Sequence, residues 1–228
     1  MHMNTPEYTL ARTLFLVDVD NTLLDNDRIV AELRDTIVRE VGAAKAERYW
    51  SIFEQCRHEL GYADYLGALQ RFRAEDPYDL KLTPISSFLL NYPFRERVYP
   101  GAIDAVKHLS QWGTTVILTD GDVVFQPLKI ERSGLGEAFG GRELIYVHKE
   151  KELAEVERRF PADRYVLVDD KIRILTQVKA VWGDRVTTVF PRQGHYAMDS
   201  DVSTYPQPDF TIEHIADLLA YTPPPGAA

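Results

Sequence analysis

The chain has 228 residues, 45% of them hydrophobic, a single cysteine and a formal net charge of -9. That length suits one sizeable core or a core with a small companion, and the acidic balance argues against a general nucleic-acid binder. Cys56 cannot form an internal disulfide, no apolar run approaches the roughly 18 residues of a membrane span, and the amino terminus lacks a charged-then-apolar signal pattern, so a soluble protein in the reducing cytoplasm is expected.

Residues Met1 to Arg12 read as a short polar lead-in carrying Pro6. Leu14 to Val17 is an apolar run that breaks into Asp18-Val19-Asp20-Asn21-Thr22. It reads as a strand buried on both faces that delivers two acids at its carboxyl end, where open α/β sheets bind ligands. Side chains at i and i+2 of an extended chain point the same way, so the two carboxylates would repel without a nearby cation. A hard divalent ion such as Mg²⁺ answers that need with one or two carboxylates, water and substrate phosphate oxygens.

Asp25-Asn26-Asp27 suits a hinge or helix cap. The period then turns helical: Ile29, Val30, Leu33, Ile37, Val38 and Val41 share a face that Gly42 closes. A second helix carries Ala46, Tyr49, Trp50, Phe53, Cys56 and Leu60 and ends at Gly61, with Cys56 as a buried thiol. Tyr65, Leu66, Leu69 and Phe72 form a third stripe, and Thr83-Pro84 reads as the cap and first residue of a fourth helix. Tyr92-Pro93-Phe94 and Tyr99-Pro100-Gly101 mark the far border of this all-helical module. Beyond it, helices alternate with strands: a helix over Ala102 to Trp112, a strand Thr115 to Leu118, a helix from Phe125 to Ser133 and a strand Leu144 to Val147. A helix from Glu150 to Arg159, a strand Tyr165 to Val168, a helix Ile172 to Val181, a strand Val186 to Phe190, and Phe210 to Ile212 with a helix to Leu219 complete the chain. The Pro-rich tail Thr222 to Ala228 should fray. Such alternation implies right-handed crossovers and a parallel sheet with helices on both faces, joined by the first strand. The helical module is then an insertion over the sheet's carboxyl edge.

At that edge the strands end in Asp18 and Asp20, then Thr119, Asp120, Gly121 and Asp122, then His148 and Lys149, then Asp169, Asp170 and Lys171. Acids, a hydroxyl and an ammonium on one edge fit phosphoryl transfer: a carboxylate nucleophile, a metal against phosphate charge, donors for the equatorial oxygens and a lysine for developing charge.

D-x-D-N-T, L-T-D-G, a lysine and V-D-D, in that order after successive strands, resemble the four motifs of the haloacid dehalogenase-like (HAD) hydrolase superfamily over Leu14 to Asp170. The resemblance implies a three-layer Rossmann-like core, residues 1–24 and 97–228, with residues 25–96 as a C1-type helical cap. It implies Asp18 as nucleophile forming an aspartyl-phosphate, and Asp20 as general acid and then base. The dehalogenases that name the superfamily lack an acid there, so the chain looks like a phosphatase or phosphotransferase. Thr119 would hydrogen-bond a phosphoryl oxygen, Asp120 and Gly121 would line the substrate, and Asp18, Asp170 and the backbone carbonyl of Asp20 would hold Mg²⁺, with Asp169 ligating directly or through water. Asp-Asp-Lys in place of the commoner fourth motif leaves open which aspartate touches the metal. The third motif lacks the frequent Lys-Pro pair; Lys149 is the choice for its lysine, with Lys151 the rival and Lys129 placed on a helix surface. Asn21 stands where relatives carry glycine and tolerates left-handed geometry.

The insertion is near charge balance. Arg57, His58, Arg95 and Arg97 suit an anionic substrate or, more commonly, solvated helix faces; Tyr62, Tyr65 and Phe72 suit a base or sugar, or core packing. His195 and Tyr196 lie in a long loop expected to border the site. The expected function is Mg²⁺-dependent hydrolysis of a small-molecule phosphate ester, with no nucleic-acid or membrane partner, cap opening admitting substrate and closure excluding water. A phosphomutase or other phosphotransferase is the rival within enzymes, and a catalytically silent phospho-ligand binding module the rival outside them. A receiver-like signalling domain is disfavoured, since its phospho-acceptor follows a middle strand and no helical insertion follows its first.

Overall fold

Six apolar segments become the strands of one parallel sheet in a computed structural model that describes residues 13–79 and 81–222. The lead-in before Thr13 and the tail from Pro223 lie outside the described residues. The strands are β1 (Thr13–Val17), β2 (Thr114–Asp120), β3 (Glu143–Tyr146), β4 (Arg164–Val168), β5 (Val186–Pro191) and β6 (Phe210–Ile212). Their spatial order is β3-β2-β1-β4-β5-β6, every neighbouring pair parallel. The order reverses direction beside β1, which places the ligand crevice of an open α/β sheet above that strand.

Between β1 and β2 the chain makes four helices, α1 (Asn26–Val41), α2 (Ala43–Leu60), α3 (Tyr65–Glu75) and α4 (Leu82–Asn91), and a 3-10 turn at Phe94–Arg97. The caps follow from sequence. The Asp25 side chain accepts from Arg28 N, Asp64 accepts from Gly67 N, and Gly61 closes α2 in the left-handed conformation. α4 departs from expectation: it begins at Leu82, so Thr83 and Pro84 lie inside its first turn. The first four N–H groups of a helix need no intrahelical acceptor, and a proline fits that turn as well as the opening position. The strands entering and leaving the insertion are tied together, Leu24 bridging Val98 and Asp25 N donating to Arg97 O at 2.8 Å.

The crossovers bring α5 (Ala102–Leu109), α6 (Phe125–Ser133), α7 (Leu135–Ala138), α8 (Leu153–Arg159) and α9 (Ile172–Trp182). Two of these are shorter than the sequence suggests. α5 stops at Leu109 rather than Trp112, and the expected helix over Glu150 to Arg159 divides into a 3-10 turn at Lys149–Lys151 and α8, because Lys151 N closes back on His148 O. The last expected helix is likewise a 3-10 segment, Ile215–Ala220.

Side-chain alternation sorts the sheet into two faces. Phe15, Val17, Ile117, Val166 and Val168 join an apolar cluster with α5, α6 and the inserted helices. Leu14, Leu16, Val116, Leu118, Tyr165 and Leu167 join a second one with α8 and α9. The first cluster runs unbroken from the sheet into the insertion, where Tyr49, Phe53, Cys56, Tyr65 and Phe72 are buried. No described helix is long and apolar enough to cross a membrane.

Candidate functional site

The same alternation, carried one step past the strands, assembles the charged centre. Asp18 follows Leu14 and Leu16, Asp120 follows Val116 and Leu118, and Asp169 follows Tyr165 and Leu167, so all three fall on one face of the sheet. Lys149, at the end of β3, meets them there. Its Nζ lies 2.5 Å from Asp18 Oδ1, 2.7 Å from Asp169 Oδ2 and 3.2 Å from Leu118 O, and its amide donates to Asp120 Oδ1 at 2.8 Å. Lys149, Asp18, Asp169 and Asp170 are all buried. Lys151 is exposed, so the geometry separates the two candidate lysines.

Burial works against charge throughout this centre, and the ion pairs decide the outcome group by group. For Asp18, burial is outweighed by the Lys149 and Lys171 ammonium groups, which hold its carboxyl below the usual range. For Lys149, burial is outweighed by Asp169 and Asp18, which hold the ammonium above its usual range. For Asp169 burial wins and the carboxyl rises to about 6; for Asp170 burial wins too and holds the carboxyl well above its usual range.

Asp170 is the informative member. Both its carboxylate oxygens are buried and accept no hydrogen bond among the described residues, although its amide donates to Thr22 Oγ1 at 3.1 Å. A buried carboxylate without a partner is costly. One oxygen each from Asp18, Asp169 and Asp170 lies within 4.8 Å of the others, an all-oxygen donor set of the kind hard divalent cations take. The residues therefore fit a metal ion.

The loop that leaves β1 is tightly wound. Leu23 and Leu24 N both donate to Val19 O, and Asn21 adopts φ 60°, as its left-handed tolerance allows. It turns the Asp20 side chain into a cavity of about 370 Å³ between the sheet edge, the α2–α3 turn and the loop after β5.

The family model for haloacid dehalogenase-like hydrolases matches residues 13–177. The chain belongs to the haloacid dehalogenase-like hydrolases. It is 57% identical to a protein of Burkholderia xenovorans LB400 solved as a haloacid dehalogenase-like hydrolase, covering 93% of this chain and 100% of that one with a TM-score of 0.89. The fold alone is shared with the HAD-hydrolase YfnB of Bacillus subtilis, solved bound to magnesium (19% identity, 92% and 97% coverage, TM-score 0.61). It is shared too with the L-2-haloacid dehalogenase of Xanthobacter autotrophicus (15%, 91% and 97%, 0.59). Among curated proteins no match was found.

Around the carboxylate centre of this HAD-like hydrolase, Thr119 is buried and its Oγ1 accepts from Gln126 Nε2 at 3.0 Å. Asp120 and Gly121 line the cavity. Gly121 donates its amide to Tyr146 O, and a Cβ there would lie 2.6 Å from the Gln126 side chain, which restricts the position to glycine. Arg57, Tyr62 and Tyr65 also line the cavity, whereas Phe72 is buried in the insertion and Arg97 is taken by Glu32 and Tyr92. His58 and Arg95 are exposed and do not line it. Tyr196 reaches the cavity, as the loop reading expects, while His195 turns to Asp27, its Nδ1 2.6 Å from Asp27 Oδ1.

Sequence reasoning misplaces one cation and puts a second at the right edge without giving it a role. Lys129 is not on a helix surface: it is buried, with Nζ 2.6 Å from Asp20 Oδ1. The prior that lysines are exposed fails because its partner lies 109 residues away. Lys171 lines the cavity beneath the Tyr196 ring, 5.1 Å from its centroid. Its place directly after the aspartate pair was the available signal.

Proposed function

We propose that this hydrolase is a Mg²⁺-dependent phosphatase that transfers the phosphoryl group of a small phosphomonoester to Asp18 and then to water. The observation that carries the reading is the pairing of a buried, Lys149-bound Asp18 with a neighbouring Asp170 whose two oxygens are left without partners. Asp18, Asp170 and the main-chain carbonyl of Asp20 would hold the ion, with Asp169 direct or through water; when bound it offsets phosphate charge.

Asp18 is ionised without a base, because the adjacent ammonium groups keep its carboxyl acidic. Its Oδ2, which accepts from Thr22 Oγ1 at 3.3 Å, attacks phosphorus as the ester P–O bond breaks, and protonated Asp20 gives its proton to the departing alkoxide. Water then attacks the phosphorus of the aspartyl-phosphate, Asp20 takes the proton from that water, and the bond to Asp18 breaks to release phosphate. Both aspartates return to their starting forms. Lys149 stays between Asp18 and Asp169 throughout, and Thr119 offers its hydroxyl to an equatorial oxygen while Gln126 holds it in place. The insertion acts as a cap, residues 25–96, over a core of residues 1–24 and 97–228. With the loop after β5 it walls the cavity and keeps bulk water from the intermediate.

The test compares wild-type protein and Asp18→Asn on 4-nitrophenyl phosphate with Mg²⁺. Wild-type turnover that stops with EDTA, and falls at least about a thousandfold in Asp18→Asn with the fold retained, is the expected result. Halide release from a 2-haloacid without phosphatase activity, or phosphoryl transfer to an added sugar in preference to water, would replace the reading.

A further inference from the structure

The buried Lys129 has no part in the steps above, yet its surroundings give it one. It sits on the face of α6 that also buries Phe125 and Ile130, one helical turn beyond Phe125. That face drives the ammonium inward past the Phe125 ring, 5.3 Å from its centroid. A buried ammonium requires partners. Lys129 Nζ has two: Asp20 Oδ1 at 2.6 Å and Asn26 Oδ1, on the first residue of α1, at 3.0 Å. One joins the loop that leaves β1, and the other joins the root of the helical insertion.

We infer that Lys129 is the positioning residue for Asp20. By occupying Oδ1 it leaves Oδ2 as the oxygen that faces the leaving group, and through Asn26 it ties that orientation to the seating of α1. The inference rests on the phosphatase reading for its kinetic consequence and on geometry alone for its structural one. In the chemical step the Asp20 Oδ2 proton passes to the ester oxygen as the P–O bond breaks, and Lys129 keeps all of its protons. An alkyl oxygen is a poor leaving group and depends on that proton; 4-nitrophenolate departs as a stable anion and does not. Since kcat/KM reads the reaction up to departure of the leaving group, loss of Lys129 should separate the two kinds of ester. A residue that merely filled the core would affect both alike.

The experiment measures kcat/KM of wild type, Lys129→Met and Asn26→Ala on glycerol 3-phosphate and on 4-nitrophenyl phosphate, with thermal unfolding as the check on fold. Lys129→Met should lose at least about thirtyfold on the alkyl ester, a part of the roughly 10²–10⁴-fold that a positioned general acid supplies, and no more than about threefold on the aryl ester. Asn26→Ala should shift the ratio the same way by a smaller factor, and it supplies the ratio if Lys129→Met does not fold. Equal losses on both esters, or none on either, overturn the inference. Crystal structures of wild type and the two variants decide independently of turnover: an Asp20 carboxyl rotated from its wild-type place supports the inference, and an unmoved one overturns it. If wild type hydrolyses neither ester, the phosphatase reading fails while the crystallographic comparison still rules on Lys129.

Discussion

Lys149 Nζ lies 2.5 Å from Asp18 Oδ1, and neither side chain reaches solvent. Lys149→Met would leave two buried carboxylates, Asp18 and Asp169, without their shared cation. Breaking a buried pair by removing one partner costs about 3–5 kcal/mol. Urea unfolding of the metal-free protein should show a loss of that order, Mg²⁺ should restore part of it, and phosphatase turnover should disappear.

Asp170→Asn should act in opposite directions on stability and function. Burial raises the Asp170 carboxyl well above its usual range, against the pull of Lys171. A carboxyl whose folded pKa exceeds its unfolded value binds more protons folded than unfolded, so its effect on stability is smallest at low pH and turns unfavourable as pH rises through the unfolded value. The metal-free variant should therefore match wild type near pH 4 and exceed it by about 1–3 kcal/mol at pH 7, the cost of an unsatisfied buried group. Mg²⁺ titration followed by thermal shift should show the variant's affinity reduced at least about tenfold, since changing a residue that only hydrogen-bonds a metal ligand already costs about 10–100-fold.

Asp27 accepts from His195 N at 2.7 Å and from Asn21 Nδ2 at 3.0 Å, fastening the loop after β5 to the first turn of α1. Asp27→Ala should speed amide exchange at residues 195–199 about tenfold, with little change in global stability, because local openings are governed by local contacts. It should raise KM several-fold more than it lowers kcat.

Thr119→Val keeps the shape of a buried side chain and removes its hydroxyl. With the hydroxyl acting on a phosphoryl oxygen, kcat should fall about 10²-fold, the scale of losing one preorganised donor. Gln126→Leu should show a smaller loss of the same kind, read in the same assay.

Much of this was legible in the chain. Apolar runs gave the strands, and the residues after them gave the carboxyl edge, because a parallel sheet converts a strand end into a place. The Gly42 and Gly61 stops and the left-handed Asn21 were local chemistry and could be read locally. What escaped was non-local. Lys129 reads as a surface residue until α6 is seen against Asp20, and the short 3-10 turn at Lys149–Lys151 arises where the chain bends to seat Lys149 among three acids. Thr83-Pro84 misled by two residues because a proline is tolerated at several places in a helix's first turn. The loop after β5 was expected at the site through Tyr196, whereas Asp199, Asp201, Val202 and Tyr205, which also wall the cavity, had no periodicity to announce them.

The ring of Tyr65 lies edge-on to Phe125, 5.6 Å between centroids, and Phe94 meets Phe125 in the same way at 5.7 Å. These three aromatics stitch the inserted helices to the sheet side of the molecule, so a wide swing of the helices would wet rings that are now dry, at a cost of roughly 25 cal/mol for each Å² uncovered. The seam therefore opposes a wide opening of the inserted helices away from α6.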